Sequence, residues 1–190
     1  MSSDERSLEP TPPIHRRIIV TSSTDTVVLK QLVPTDAPEY FNRVEEDRAH
    51  LSQQHGPRTA DSTAENYPTV ESVLESIVNP KIPNKIRFGI WDGDVFVGSN
   101  NLSPRGEGRA ELGSWVGGNY TGHNYAARAR TLLVDYAFNT AGLEEVFCEI
   151  AVGNEASRKS VERSGFKFNG VRYDHWVYTL HRSEALNTLK

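Results

Sequence analysis

The stretch that decides the fold reads Asn154-Glu-Ala-Ser-Arg-Lys-Ser-Val-Glu-Arg-Ser-Gly-Phe166. It follows residues 145–152, whose β-branched and alternating side chains predict a strand. Asn154 is a favourable helix cap, Ser157 lies one turn later, and the glycine at 165 is a stop signal, so a short helix is predicted over 154–164. Its first turn is interpreted either as a plain helix cap or as one wall of a ligand site.

A longer helical segment with a glycine-rich entry precedes this strand. The entry reads Gly117-Gly-Asn-Tyr-Thr-Gly122, and glycines there let backbone N–H groups approach an anion at the positive end of a helix. The spacing matches neither a Walker loop nor a dinucleotide fingerprint. Taken alone, the loop indicates either an anion site or an ordinary turn. The helix that follows has one apolar face, formed by Tyr125, Ala129, Leu132, Leu133, Tyr136 and Thr140.

The other segments complete an α+β pattern. An Asp92-Gly93 turn between two β-branched runs predicts a hairpin, and Asp36 or Thr35 is the expected cap of a helix that contains Tyr40 and Val44. The order β-α-α-β-β-β-α-β-α-β-β predicts an α+β fold with a mixed, mainly antiparallel sheet flanked by about four helices. Further strands are predicted at 26–33, 86–91, 95–98, 109–116, 166–171 and 176–180, and a further helix at 70–78.

Length and composition exclude several classes of protein. The 190 residues allow one domain; residues 1–23 predict a disordered or loosely held tail, and residues 24–186 a single domain. No apolar run approaches the roughly 18 residues of a membrane span, and a net charge of −4 argues against a nucleic-acid-coating surface. The one cysteine, Cys148, alternates in phase with Val146 and Ile150, so a buried thiol in a reduced, cytoplasmic setting is predicted.

Taken together, these segments resemble the GNAT acyl-CoA N-acyltransferases, in particular the RimL/RimJ-like branch that acetylates the N-termini of ribosomal proteins. The resemblance spans about residues 26–184, in order and with matching spacing. Besides the opening stretch, it is carried by residues 29–37, by Ala110-Glu-Leu-Gly-Ser-Trp-Val116, by Tyr120-Thr-Gly-His-Asn-Tyr-Ala-Ala-Arg-Ala129, and by residues 133–138 and 170–172.

The resemblance implies a site for acetyl-CoA between the strands at 109–116 and 145–152, which separate in this family. Asn154 matches the asparagine that contacts the pantetheine arm, and Ser157 matches the serine near the thioester sulfur. Arg158, Lys159 and Arg163 either reach the CoA phosphates or form a solvated helix face. The implied backbone contacts are Trp115, Val116 and Gly117 for the pantetheine, and Thr121, Gly122, His123, Asn124, Tyr125 and Ala126 for the pyrophosphate.

The implied reaction is direct attack of a primary amine on the thioester, without a covalent enzyme intermediate. Glu111 is the candidate base, because it shares a strand face with Gly113 and Trp115; the alternative is a surface carboxylate. Ser157 is the candidate donor to the departing sulfur, or else part of a capping turn, and a backbone N–H near Val116 would hold the oxyanion. No metal is expected, because the histidines lack metal-ligand spacing.

The phosphate loop differs from the family's usual pattern, Gln/Arg-x-x-Gly-x-Gly/Ala, at two positions, which are Asn119 and Asn124 here. Asn124 replaces a small residue; asparagine tolerates left-handed backbone angles, yet its side chain takes room. Reduced cofactor affinity or a reshaped loop would follow. Together with Asn119, this leaves a second hypothesis, a catalytically weak relative that binds acyl-CoA or a protein partner.

The identity of the acceptor is the property that the sequence predicts least well. A protein N-terminus, a lysine or a small-molecule amine is compatible with the family, and the acidic balance favours a cationic acceptor. The last hairpin, at 171–175, is shorter than in many relatives, which indicates an acceptor other than a ribosomal protein. A monomer or a homodimer is expected, with no nucleic-acid or membrane partner.

Overall fold

The computed structural model describes residues 17–54 and 67–188, and a mixed sheet forms its centre. The strands are β1 Ile19–Val20, β2 Val27–Gln31, β3 Ile86–Asp92, β4 Val95–Pro104, β5 Arg109–Val116, β6 Glu145–Ala151, β7 Lys167–Arg172 and β8 His175–His181. Their order in the sheet is β1-β2-β3-β4-β5-β6-β8-β7. Only β5 and β6 run parallel among the described neighbours, so the predicted mixed, mainly antiparallel sheet is confirmed.

The α+β class is also confirmed, with six α-helices in the described ranges rather than about four. They are α1 Ala37–Glu46, α2 Arg48–Gln54, α3 Val70–Val78, α4 Tyr125–Asp135, α5 Glu155–Arg163 and α6 Arg182–Thr188. The helix predicted after Asp36 breaks at Asp47 into α1 and α2, and the short α6 has too few residues to show an apolar period. No helix within these ranges is both long and apolar enough to cross a bilayer.

Each face of the sheet packs against its own set of helices. Helices α1, α2 and α3 cover one face, with Tyr40, Leu51, Val73, Phe96 and Trp115 in the shared core. Helices α4 and α5 cover the other face, where the buried side chains include Ala110, Leu112, Leu133, Val146, Ile150 and Val161. Alternation along β5 therefore directs Trp115 to the first face and Leu112 to the second.

The structure corrects two predictions, the start of regular structure and the buried face at the end of α4. Ile19 pairs with Lys30 in the β1–β2 ladder, so regular structure begins five residues before the predicted boundary at residue 24; residues 1–16, the rest of the predicted tail, lie outside the described residues. Helix α4 continues as a π-helical turn at Tyr136–Thr140. The wider turn shifts the buried face to Ala137 and Phe138 and leaves Thr140 exposed.

Candidate active site

The parallel pair of β5 and β6 opens after three residues. The ladder joins residues 109–111 to residues 145–147 and goes no further along these described strands. A cleft of about 990 Å³ occupies the opening, and its lining comes from both faces of the sheet. The cleft therefore passes through the sheet, with one mouth on the α1–α3 side and the other on the α4–α5 side.

Most of the residues predicted to bind the cofactor line this cleft. They are Trp115, Val116, Thr121, Gly122, Asn124, Tyr125, Ala126, Asn154 and Ser157. The remaining two are directed elsewhere. Gly117 packs against the Asp47 side chain, and His123 is exposed with its Nδ1 atom 3.0 Å from the carbonyl oxygen of Thr121. The structure thus gathers the predicted set around one cavity, and their role in binding stays a prediction.

The start of α4 has a left-handed residue beside the cleft. Asn124 adopts the left-handed conformation, with φ 64° and ψ 12°, where the family usually has a smaller residue. Tyr125 and Ala126, the first residues of α4, line the cleft, so the positive end of the helix dipole lies beside it. The Tyr125 hydroxyl donates to Asp92 Oδ2 at 2.6 Å, which anchors the helix start to the end of β3. This bond raises the pKa of Tyr125.

The start of α5 combines a cap with an unused hydroxyl. Asn154 Oδ1 accepts a hydrogen bond from the Ser157 N–H at 3.1 Å, so the predicted helix cap is present. The half-buried Ser157 hydroxyl has no hydrogen-bond partner among the described residues. Lys159 and Arg163 line the cleft, whereas Arg158 pairs with Glu155 and Glu162. The capping and ligand-site interpretations are therefore compatible.

Glu111 lines the cleft on the α1–α3 side. Its side chain is 24% exposed, and its Oε2 atom accepts hydrogen bonds from Nε of Arg105, at 3.1 Å, and from Nη2 of the same guanidinium. Glu149, a second carboxylate of the lining, pairs with Arg172 at 2.8 Å. Of these two carboxylates, Glu111 is the one on β5, the strand that also provides Trp115 and Val116.

Two buried groups form part of the α4–α5 wall. Cys148 is buried, as predicted, and burial raises the pKa of its thiol to about 11. Arg130 is also buried and donates from Nη1 to the Ser160 carbonyl, the Ser160 hydroxyl and the Ser164 hydroxyl. Burial lowers the pKa of this guanidinium. No group of His, Cys, Asp and Glu within the described ranges is arranged to hold a metal.

The sequence interpretation missed the lining that β3 and β4 supply on the α1–α3 side. It ended β4 at Gly98, whereas the strand continues to Pro104. The missed residues are Arg87, Ser99, Asn101 and Ser103. Serine, asparagine and serine at alternate positions are a period-2 polar signal that would have extended the strand. Asn101 packs so closely over Gly113 that a Cβ atom there would lie 2.5 Å from Asn101 Nδ2.

The corner between α1 and α2 is bound to the loop that leads to α4. The N–H of Gly118 donates to Asp47 Oδ1 at 2.7 Å, and a Cβ atom on Gly117 would overlap Asp47 Oδ2. We expect Gly117→Ala to lower the free energy of unfolding by about 1–3 kcal/mol, because this packed corner has no room for a methyl group. Urea unfolding measures the effect.

A double-mutant cycle tests the cause of that loss. Asp47→Ala removes the overlapping oxygen. The loss in the free energy of unfolding of the Gly117→Ala/Asp47→Ala variant should therefore be smaller than the sum of the two single losses, by at least about 0.5 kcal/mol. Gly118→Ala is the matched control, because its Cβ atom would stay 3.2 Å from the nearest atom outside its chain neighbours. Strict additivity of the two changes would contradict the proposed overlap.

An open parallel pair, with a cleft through the sheet between two helix starts, is the architecture of an acyltransferase domain. The chain belongs to the acetyltransferase (GNAT) domain family, whose model matches residues 26–167. This finding confirms the resemblance drawn from the sequence. The match covers β2 through the first residue of β7, and so includes β5, β6, α4 and α5.

Sequence relatives carry related names. The putative ribosomal N-acetyltransferase YdaF of Bacillus subtilis is 34% identical over 114 residues, which are 53% of this chain and 62% of YdaF. The chain thus matches less than two thirds of that relative. The uncharacterized N-acetyltransferase YoaA of the same bacterium is 24% identical over 172 residues, covering 83% of this chain and 94% of YoaA.

Solved structures share the fold at low sequence identity. RimL, a ribosomal L7/L12 α-N-protein acetyltransferase in complex with coenzyme A, superposes with a TM-score of 0.75 at 16% identity, covering 86% of this chain and 98% of that one. Mycobacterium smegmatis RimJ, in complex with CoA-disulfide, gives a TM-score of 0.72 at 20% identity, with 83% of each chain covered. These likenesses establish the fold.

Proposed function

We propose that the protein transfers an acetyl group from acetyl-CoA to a primary amine by direct attack on the thioester. The observation that carries this proposal is the cleft through the sheet between β5 and β6. In the part of the chain that the structure describes, this opening is where a donor on the α4–α5 side and an acceptor on the α1–α3 side can approach each other. Entry from opposite faces lets amine and thioester meet with no need for a covalent enzyme intermediate.

The α4–α5 side has the chemistry that a phosphate-bearing donor requires. The positive end of α4 borders the cleft at Tyr125 and Ala126. Lys159 and Arg163, one turn apart on α5, add two cations with no ion-pair partner among the described residues. Coenzyme A carries a pyrophosphate and a 3′-phosphate, so these groups match its charges.

Three groups of the chain would carry the chemistry at the gap. Glu111, directly or through a water molecule, would take the proton that the attacking amine loses. A backbone N–H near Val116 would stabilise the oxyanion that develops on the thioester carbonyl. The hydroxyl of Ser157 would donate to the departing thiolate, a role that its lack of a described partner supports.

The second hypothesis, a catalytically weak relative that binds acyl-CoA or a partner, rested on the asparagines of the phosphate loop. Asn124 adopts the left-handed conformation that the position needs, so the asparagine supports retained binding of the donor. Its side chain lies at the mouth of the cleft. Calorimetry on this residue distinguishes the two hypotheses.

We expect acetyl-CoA to bind the wild-type protein in the micromolar range, about −8 kcal/mol, in a calorimetric titration. Asn124→Gly should change the Kd by less than about threefold, because asparagine already adopts the required backbone angles. Lys159→Gln/Arg163→Gln should raise the Kd by about tenfold or more through the loss of two charge-assisted contacts. CoA release in the presence of amines then measures transfer.

Arg158→Gln is the matched control, because Arg158 is held by Glu155 and Glu162 rather than by the cleft; it should bind acetyl-CoA like the wild type. Binding that appears only in Asn124→Gly would favour the weak relative. If neither protein binds acetyl-CoA, the donor assignment is wrong.

A further inference from the structure

The charges on the α1–α3 side of the cleft do not cancel. The two carboxylates of the lining are engaged, Glu111 with Arg105 and Glu149 with Arg172. Arg87 lines the same side and pairs with no carboxylate among the described residues. The α1–α3 side therefore presents one guanidinium whose positive charge is not compensated by a described side chain.

Neutral groups hold Arg87 in place. Its Nη1 atom donates to the Ser76 hydroxyl at 2.7 Å, and its Cζ atom lies 5.1 Å from the ring centroid of Tyr67. These contacts fix the side chain on β3 without neutralising it. A guanidinium has five N–H donors in a planar fork, so the remaining donors match a carboxylate or a phosphate, which accept paired hydrogen bonds.

Arg87 also lies at a defined distance from β5, which borders the opening between β5 and β6. In the sheet register Arg87 pairs with Asn101, and Asn101 pairs with Gly113 on β5. Two strand spacings separate the backbones of Arg87 and Gly113 by roughly 10 Å, and both residues line the cleft. An acceptor with its amine at the gap would then place an anionic group on Arg87 several ångströms away. A peptide N-terminus followed by an acidic second residue has this spacing.

We propose that the acceptor is an anionic amine, whose carboxylate or phosphate group is bound by Arg87. This inference rests on the acetyl transfer proposed above. It reverses the expectation of a cationic acceptor that the net charge of −4 gave. A polycation on this side would meet the Arg87 charge and would find both carboxylates of the lining already paired.

Matched peptides test the inference. The probes are the C-terminally amidated tetrapeptides Ser-Asp-Ala-Ala, Ser-Asn-Ala-Ala, Ser-Lys-Ala-Ala and Ser-phosphoserine-Ala-Ala, assayed with acetyl-CoA for CoA release. The kcat/KM of wild-type protein should be at least about tenfold higher for the aspartate or the phosphoserine peptide than for the asparagine peptide. Comparing the two anionic probes tells a carboxylate from a phosphate preference.

Variants assign this preference to Arg87. Arg87→Gln should bring the ratio of kcat/KM for the aspartate and asparagine peptides close to one, while Arg87→Lys should keep part of the ratio. Arg182→Gln, at the start of α6 and outside the cleft lining, is the matched control and should keep the ratio.

Other outcomes overturn the inference. Equal use of the aspartate and asparagine peptides, preference for the lysine peptide, or a ratio that survives Arg87→Gln would each contradict it. Calorimetric titration of acetyl-CoA into the wild-type protein and Arg87→Gln distinguishes a failure of the anionic-acceptor inference from a failure of the proposed function. If acetyl-CoA binds but no peptide is acetylated, the anionic-peptide inference fails and the donor site stands. If acetyl-CoA does not bind, both fail.

Discussion

Replacing Glu111 by glutamine is expected to lower kcat for acetyl transfer by about 100-fold or more, within the range that a positioned general base contributes. Glutamine has nearly the same shape and can still accept a hydrogen bond from Arg105, but it cannot take a proton from the amine. Acetyl-CoA affinity should stay within about twofold of wild type, because the proposed donor site is on the α4–α5 side. Single-turnover CoA release measures the chemical step, and calorimetry measures the affinity.

Glu149→Gln is the matched control for this prediction. Glu149 also lines the cleft on the α1–α3 side, but its Oε1 atom is held by Arg172 at 2.8 Å. Its replacement should leave kcat within about threefold of wild type, because Glu149 has no role in proton transfer or charge stabilisation in the proposed reaction. If the two variants exchange these effects, the base is Glu149, and Glu111 with Arg105 is a structural ion pair.

Local signals in the sequence were sufficient for several elements, on both faces of the sheet. Predicted and observed bounds agree for β5 at Arg109–Val116 and for α3 at Val70–Val78, because each has turn residues or a clear period at both ends. The cap of α5 by Asn154 was also predicted, and its hydrogen bond to the Ser157 N–H is present. A cap depends on residues three positions apart, so one sequence is enough to find it.

Features that depend on partners distant in sequence were not predictable. The alternating polar residues of β4 indicate that the strand continues past Gly98, but no local pattern gives the register in which Asn101 and Ser103 pair with Gly113 and Glu111. The π-helical turn at Tyr136–Thr140 satisfies packing against the sheet rather than a local preference. Arg87 was missed for the same reason, since an arginine in a strand attracts attention only once the sheet places it in the cleft.

The same distinction between local signals and contacts distant in sequence applies to the candidate site. The family resemblance predicted which segments of backbone surround the donor, and those segments line one cleft. It could not predict that the Gly117 Cα would face Asp47, because that contact forms only when the α1–α2 corner packs on the loop. The acceptor side depends most on such contacts, which the net charge of the whole chain does not describe.

Gly98→Ala is expected to have the largest effect on the fold. Gly98 of β4 lies opposite Val116 of β5, and a Cβ atom on Gly98 would overlap the Trp115 carbonyl oxygen and lie 2.9 Å from Val116 Cα. Both neighbours are backbone atoms, so no side-chain rotation relieves the overlap and β5 must move. We expect a loss of about 3 kcal/mol or more in the free energy of unfolding, measured by urea titration.

A matched glycine separates this overlap from the general effect of removing a glycine. Gly153→Ala introduces a methyl group where nothing lies within 4 Å, at a φ of +100°, so it has the backbone strain alone, about 1–3 kcal/mol. Trp115 and Val116 line the cleft, so Gly98→Ala should also weaken acetyl-CoA binding in whatever fraction stays folded. Gly153→Ala lies in the turn before α5 and should bind acetyl-CoA more tightly than Gly98→Ala. If Gly98→Ala is as stable as the wild type, the close approach of β4 and β5 at this pair is wrong, and with it the position of the strand proposed to hold the thioester.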